Sequence, residues 1–284
     1  MAIRTQGLQF LAQSYVGILS DVWGVLHNGL AVYPGANEAL VKYRQQGGRV
    51  VLITNSPRPR PGVEAQLHEL GVSREAYDRI VTSGDVTRDL IASVEGGVFH
   101  LGPDRDFALY EGLNAELTTA EDANAIVCTG LFDDEAETPE DYRELLKSFA
   151  DRSIPFICAN PDLVVERGDR LIWCAGALAK LYEELGGEVR IAGKPHSPIY
   201  ALAERLMSDL LGSNPNKREL LAIGDGLPTD VAGAMGYGSH LLYVTGGIHA
   251  SEYGSADEPD EARLANFLDA NGAQPDYWIP KLVW

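Results

Sequence analysis

Short apolar runs alternate along this chain with segments of helical period, and each run stops at turn residues. The run at residues 16–19 is closed by Ser20 and Asp21 and reads as a short buried strand; Gly24 then lets the backbone turn sharply. A turn is expected at Tyr33-Pro34-Gly35-Ala36, followed by helical spacing over residues 37–46 that halts at Gly47-Gly48. Residues 49–53 form a second buried run, ending in Thr54-Asn55-Ser56-Pro57. Strand, helix, strand predicts parallel pairing with a right-handed connection, which places Thr54, Asn55 and Ser56 at the same sheet edge as Asp21. A third unit is expected as a helix over 62–70, a strand over 79–82 and a helix over 84–93, with Asp85 complementing that helix's N-terminus.

Beyond Gly96-Gly97 the pattern changes. Strands are expected at 98–102, 125–128 and 155–159, and helices at 139–150 and 175–185. The acidic stretch Asp133-Asp134-Glu135 with Glu137 reads as solvated surface. This has the character of an α+β insertion of ordinary domain size. Around Val189 the first pattern resumes with a strand over 189–192, then Gly193-Lys194-Pro195-His196 and a helix over 197–211. Another buried strand over 219–223 ends in Gly224-Asp225-Gly226-Leu227-Pro228-Thr229-Asp230; a helix begins over 231–235, and 239–244 is expected to be the last strand. The chain is therefore α/β: a Rossmann-like parallel-sheet core from residues 1–96 and 188–284, interrupted by an α+β domain over 97–187.

Composition narrows the partners. Lys and Arg number 23 against 41 Asp and Glu, a net charge of −18, which argues against a broad nucleic-acid footprint. A small anionic substrate stays open if a few basic groups converge. Cys128, Cys158 and Cys174 have no CxxC spacing, which argues against a disulfide framework or a structural zinc site and fits a reducing compartment. Residues 1–15 lack the apolar core of a signal peptide and nothing later resembles a membrane span, so the cytoplasm is the expected location.

Four polar groups end separate apolar segments: Asp21; Thr54 with Asn55 and Ser56; Lys194; and Asp225 with Asp230. Each has a plain structural alternative. Asp21 could be a solvated strand-end acid, Thr54 to Ser56 turn formers and Lys194 an exposed loop lysine; Asp225 could form a turn and Asp230 cap a helix. Placed together at strand ends, where open parallel sheets put their chemistry, they suit phosphoryl transfer through a covalent aspartyl phosphate. Hydroxyl and amide donors would hold the non-bridging oxygens and a lysine would offset the charge in flight. One anion attacking another needs a cation between them, and Mg²⁺, with its preference for oxygen ligands, fits.

The ordered set Asp21-x-x-Gly24-Val25-Leu26, Leu52-Ile53-Thr54-Asn55, Gly193-Lys194-Pro195 and Gly224-Asp225-x-x-x-Thr229-Asp230 resembles the haloacid dehalogenase-like hydrolase superfamily. More narrowly it resembles subfamily IIA, the sugar and nucleotide phosphatase branch with a large α+β cap between the second and third motifs. Pro34-Gly35-Ala36, Asn160-Pro161-Asp162 and Pro275-Asp276 add to the likeness. The resemblance implies Asp21 as nucleophile and metal ligand, and the backbone carbonyl of Trp23 as a further ligand to Mg²⁺. It implies Thr54, Asn55 and Ser56 as phosphate-binding, Lys194 as orienting Asp21 and neutralising the phosphoryl group, and Asp225 as a direct metal ligand. Asp230 would support the metal or reach it through water. Asn160 and Asp162 would line the substrate entrance, and the resemblance extends to a homodimer through the cap.

One position departs from that family. Its phosphatases have Asp-x-Asp in the first motif, the second Asp protonating the leaving oxygen and later activating water; here that position is Trp23. Such acid–base help is typically worth about 10²–10⁴ in rate. Three readings stand: the site takes substrates with good leaving groups, such as acyl or aryl phosphates; another residue supplies the proton, His27 being nearest in sequence unless it simply lines the loop; or turnover is lost and phosphate-ligand binding kept. Trp23 itself reads as a stacking surface for a ring-bearing substrate or as an aromatic plug. The leading expectation is a Mg²⁺-dependent hydrolase of a small phosphorylated metabolite. The alternative is a catalytically weakened binding or regulatory protein on the same fold, and a phosphorylatable response-regulator-like switch is disfavoured by the large insertion and the late Gly-Asp motif.

Overall fold

The structure, a computed structural model, describes residues 2–168 and 170–284. The chain divides into two compact units. The first takes in the residues up to Thr54, Glu64–Val81 and Tyr200–Trp284; the second takes in Asn55–Val63 and Thr82–Ile199.

The strands, in chain order, are β1 (Ile3–Arg4), β2 (Gly17–Ser20), β3 (Arg49–Thr54), β4 (Arg79–Thr82), β5 (Gly97–Leu101), β6 (Glu116–Leu117), β7 (Ala125–Cys128), β8 (Phe156–Cys158), β9 (Val164–Arg167), β10 (Arg170–Trp173), β11 (Val189–Ile191), β12 (Leu220–Gly224), β13 (His240–Val244) and β14 (Tyr277–Ile279). Seven of them form one sheet in the order β1-β14-β13-β12-β2-β3-β4. β2 is buried at every position, as expected of a parallel strand covered on both faces, and this is why it reads as a continuous apolar run. Its neighbours β12 and β3 both run parallel to it, with Ile223 level with Ser20 and Ser20 level with Leu52. The chain builds outwards from β2 to β3 and β4 on one side and to β12, β13 and β14 on the other. The carboxyl end of β2 and β12 is therefore a topological switch point, the place where open α/β sheets bind ligands.

The second sheet, β11-β8-β7-β5-β6, is also parallel. Its side chains alternate between two apolar layers. Ile126, Cys128, Phe156 and Cys158 pack with Leu146, Phe149, Leu178 and Tyr182 on one face, while Val98, Ala125, Val127 and Ile157 pack with Ile91 and Leu109 on the other. All three cysteines are buried and free.

The structure corrects several sequence expectations. Residues 34–36 are not a separate turn: α1 spans Pro34–Gln45, with Pro34 in the first turn, where its missing N–H costs nothing. The helix expected over 139–150 opens as a 3₁₀ turn, Pro139–Tyr142, closed by a Thr138–Asp141 capping box, before an α-helix over Arg143–Ala150. A wide π turn, Leu227–Val231, precedes the helix Ala232–Tyr237. Residues 239–244 do not hold the last strand, since β14 follows and β1 pairs with it at the sheet edge. The antiparallel hairpin β9–β10 and the helix Glu261–Ala270 were not anticipated.

Candidate active site

Asp21 is the first residue past β2, and its backbone N–H donates to the Ile223 carbonyl at 2.8 Å, so the ladder carries it level with the end of β12. Asp225 is the first residue past β12. Asp230 lies in the π turn, where its N–H donates to the Gly226 carbonyl at 2.9 Å and its Oδ2 accepts the Gly226 N–H at 3.0 Å. Insertion of the extra residue that a π turn carries is a common device for aiming a side chain into a site. The three acids are 8%, 6% and 6% exposed, and each offers an oxygen within 4.8 Å of the others.

Glycines make the room for this convergence. A Cβ on Gly24 would lie 2.3 Å from Asp225 Oδ2, one on Gly247 would lie 2.0 Å from the same atom, and one on Gly224 would lie 2.2 Å from Asp230 Cγ. Gly24 also has φ +85°, a conformation that side-chain-bearing residues rarely adopt. The Ile248 N–H donates to Asp225 Oδ2 at 2.9 Å, and His249 Nε2 accepts the Leu227 N–H at 3.2 Å, fastening the π turn from the loop after β13. These contributions from Gly247, Ile248 and His249 were not read from the sequence. Gly246-Gly247, one residue past the strand, was the available signal.

Trp23 and His27 form the other wall of the Asp21 loop. The Gly24 N–H donates to the His27 carbonyl at 2.8 Å, and the Trp23 and His27 rings meet edge to face with centroids 5.0 Å apart. A Cβ on Gly29 (φ +82°) would lie 2.4 Å from Trp23 Cζ2, so the indole lies against bare backbone. The His27 side chain is 1% exposed and its Nδ1 accepts the Gly29 N–H at 2.9 Å, which puts the ring proton of the neutral form on Nε2. Burial pulls its pKa down to about 4. At neutral pH it is an uncharged post of the loop.

Thr54 ends β3, buried. Asn55, Asp162 and Lys194 meet in the second unit. Asn55 Oδ1 accepts the Lys194 N–H at 2.8 Å, while its Nδ2 donates to Asp162 Oδ1 at 2.9 Å and to the Lys194 carbonyl at 3.3 Å. The amide of Asn55 is thus engaged with the lysine loop and with Asp162. Lys194 is buried. Ser56 Oγ accepts the Arg58 N–H at 3.3 Å, and Asn160 Oδ1 accepts the Asp162 N–H at 3.3 Å. The predicted residues therefore fall into two sets, the acids Asp21, Asp225 and Asp230 in one unit and Asn55, Asp162 and Lys194 in the other, with consecutive residues Thr54 and Asn55 linking them along the chain.

Comparison with known proteins matches residues 18–116 to a family described as haloacid dehalogenase-like hydrolase and residues 191–270 to one described as HAD-hydrolase-like. A crystal structure of a hydrolase of the haloacid dehalogenase-like family from Brucella suis 1330 is 50% identical, covers 98% of this chain and all of its own, and superposes with a TM-score of 0.89. The acid sugar phosphatase of Staphylococcus aureus is 26% identical over 84% of this chain and 90% of its own. The D-glycerol 3-phosphate phosphatase of Mycobacterium tuberculosis is 26% identical over 86% of this chain and 67% of its own.

Proposed function

The chain belongs to the haloacid dehalogenase-like hydrolase family, and from that premise we propose that it is a Mg²⁺-dependent phosphatase of a small phosphorylated metabolite, acting through an aspartyl phosphate on Asp21. Hydrolysis of a phosphoric monoester is supported by the relatives named as a sugar phosphatase and a glycerol phosphate phosphatase. The observation that carries the reading is the buried convergence of Asp21, Asp225 and Asp230.

Three carboxylates so close and so dry repel one another unless a cation sits among them. Their all-oxygen donor set fits Mg²⁺, which favours carboxylates, carbonyls and water. Asp21 and Asp225 would hold it, with the Trp23 carbonyl and with Asp230, directly or through water. Bound there, Mg²⁺ supplies the positive charge that lets a carboxylate approach a phosphate dianion.

The chain's own residues do the rest. A carboxylate oxygen of Asp21 attacks phosphorus in line as the bond to the leaving oxygen breaks; water then attacks phosphorus, releasing inorganic phosphate and restoring the carboxylate. The Thr54 hydroxyl, with Ser56, would hold non-bridging oxygens. Lys194 would offset the phosphoryl charge. Asn55, its side chain engaged with the lysine loop and Asp162, would act by positioning Lys194. The segment 97–187 would serve as the cap that selects substrates, with Asn160 and Asp162 at its entrance and a homodimer formed through it. Among the described residues no helix is long and apolar enough to cross a membrane, and a cytoplasmic place belongs to the same reading.

The test is phosphate release from 4-nitrophenyl phosphate with and without Mg²⁺, for the wild type and for Asp21→Asn. Metal-dependent release lost in the variant supports the reading. Folded protein that binds Mg²⁺ and phosphate but releases nothing favours the binding or regulatory protein that Trp23 raises as the alternative.

A further inference from the structure

We infer that this site hydrolyses esters whose leaving oxygen departs without a proton from the protein, namely aryl, enol and acyl phosphates rather than alkyl phosphates, and that Trp23 sets this restriction. The inference rests on the phosphatase reading above and names its substrate class.

The chemistry sets the demand. Cleaving an alkyl ester leaves an alkoxide about as basic as hydroxide, whose conjugate acid has a pKa of about 15.7. A phenolate (pKa about 10) or a carboxylate (about 4) leaves far more readily unaided. An alkyl substrate therefore needs a proton donor beside the leaving oxygen, and aryl or acyl substrates need none.

Among the described residues, the side chains of the Asp21 loop and the two acids that converge with it do not meet that demand. Two residues past the nucleophile stands an indole, a neutral hydrogen-bond donor that gives up no proton near neutral pH. It has been given a fixed seat: bare backbone at Gly29 lies against one part of the ring and the buried His27 ring against another. His27 is itself committed, with Nδ1 accepting the Gly29 N–H and the ring 1% exposed. Asp225 and Asp230 each accept a backbone N–H, from Ile248 and Gly226, at the place where the acids converge. The loop is thus built as an aromatic wall, and the part-exposed indole offers a π surface suited to an aryl leaving group.

The balance of the reaction agrees with this assignment. In the first displacement the Asp21 oxygen–phosphorus bond forms and the phosphorus–leaving oxygen bond breaks; the electron pair goes with the phenolate, enolate or carboxylate, which takes any proton it needs from solvent. In the second, water attacks phosphorus, its proton passes to solvent, and the departing group is the Asp21 carboxylate, already a weak base. Only the first displacement feels the leaving group.

The test is kcat/KM of the wild-type protein, with Mg²⁺, on 4-nitrophenyl, phenyl and benzyl phosphates, with Trp23→Asp beside it. Benzyl phosphate keeps the ring but leaves as an alkoxide, which separates stacking from leaving-group basicity. The expected result is a steady fall along the series, with benzyl phosphate at least about 10²-fold below phenyl phosphate, the least that general acid help is typically worth. Trp23→Asp is expected to raise the benzyl rate by a similar factor while moving the 4-nitrophenyl rate less. Wild-type benzyl and 4-nitrophenyl rates within tenfold of each other would overturn the inference and leave the phosphatase reading standing, and this comparison needs no variant to fold. A folded Trp23→Asp protein that keeps the steep series would remove Trp23 as its cause. Turnover that survives Asp21→Asn, or no release from any ester, would overturn the underlying reading instead.

Discussion

Two loops leave neighbouring strands of the same sheet at the same level, and each starts with an aspartate. After β12, glycines 224 and 247 leave space around Asp225 and Asp230, and backbone N–H groups from Gly226 and Ile248 bind their oxygens. After β2, Gly24 leaves space for the same Asp225 carboxylate, but Gly29 leaves space for an indole. The first loop is built to gather negative charge, and the second to present one carboxylate beside an aromatic wall. The difference teaches that the gathering of acids and the shaping of the wall beside them depend on different residues: Gly224, Gly247 and Ile248 serve the acids, while Gly29 and His27 seat Trp23.

The comparison breaks most completely at Asp21. Asp21→Asn keeps the shape and removes the charge on the proposed nucleophile. A loss of at least about 10⁴ in kcat/KM on 4-nitrophenyl phosphate is expected, with a thermal midpoint within a few degrees of wild type. Gly24→Ala strikes where the two loops touch: its Cβ would overlap Asp225 Oδ2 in a backbone conformation that alanine strains to adopt. Weaker Mg²⁺ activation and a stability loss of about 1–3 kcal/mol are expected, measured by metal titration and denaturant unfolding.

His27 sharpens the comparison through pH. Its folded pKa, about 4, lies below its ordinary value of 6.5 because the ring is buried. The unfolded chain therefore binds the extra proton first. The burial of neutral His27 is fully stabilising above pH 6.5, and that stability is lost as pH falls towards 4. Unfolding followed from pH 7 to pH 4 should show a shallower decline in His27→Gln, by about 1–3 kcal/mol at the acid end. The smallest effect is expected at Gly29→Ala, which crowds the indole without touching an acid. A stability loss of about 1–2 kcal/mol is expected, with metal activation kept.

Much of the fold was legible because parallel strands covered on both faces appear as unbroken apolar runs, as at residues 17–20, 49–54 and 220–224. Strands of two or three residues such as β1 and β14 carry too little pattern to be seen, and the hairpin β9–β10 mixes exposed Leu171 and Trp173 with charged residues. In the sequence Pro34 reads as a turn former, because proline serves both turns and first helical turns. At the site, Asp21 and Asp225 stood out because each directly ends an apolar run. What did not stand out is tertiary: the Ile248 N–H reaches Asp225 across 23 residues, and the Asn55 amide reaches Lys194 across 139. The seat of Trp23 against Gly29 was equally hidden, since a glycine six residues on reads only as a turn.

The most direct test is acid quench of the wild-type protein during turnover of 4-nitrophenyl phosphate, followed by mass spectrometry of the peptide that contains Asp21. The account predicts a peptide heavier by one phosphoryl group, formed as 4-nitrophenolate appears and absent in Asp21→Asn. Steady release of 4-nitrophenolate with Asp21 never phosphorylated at any quench time would contradict it.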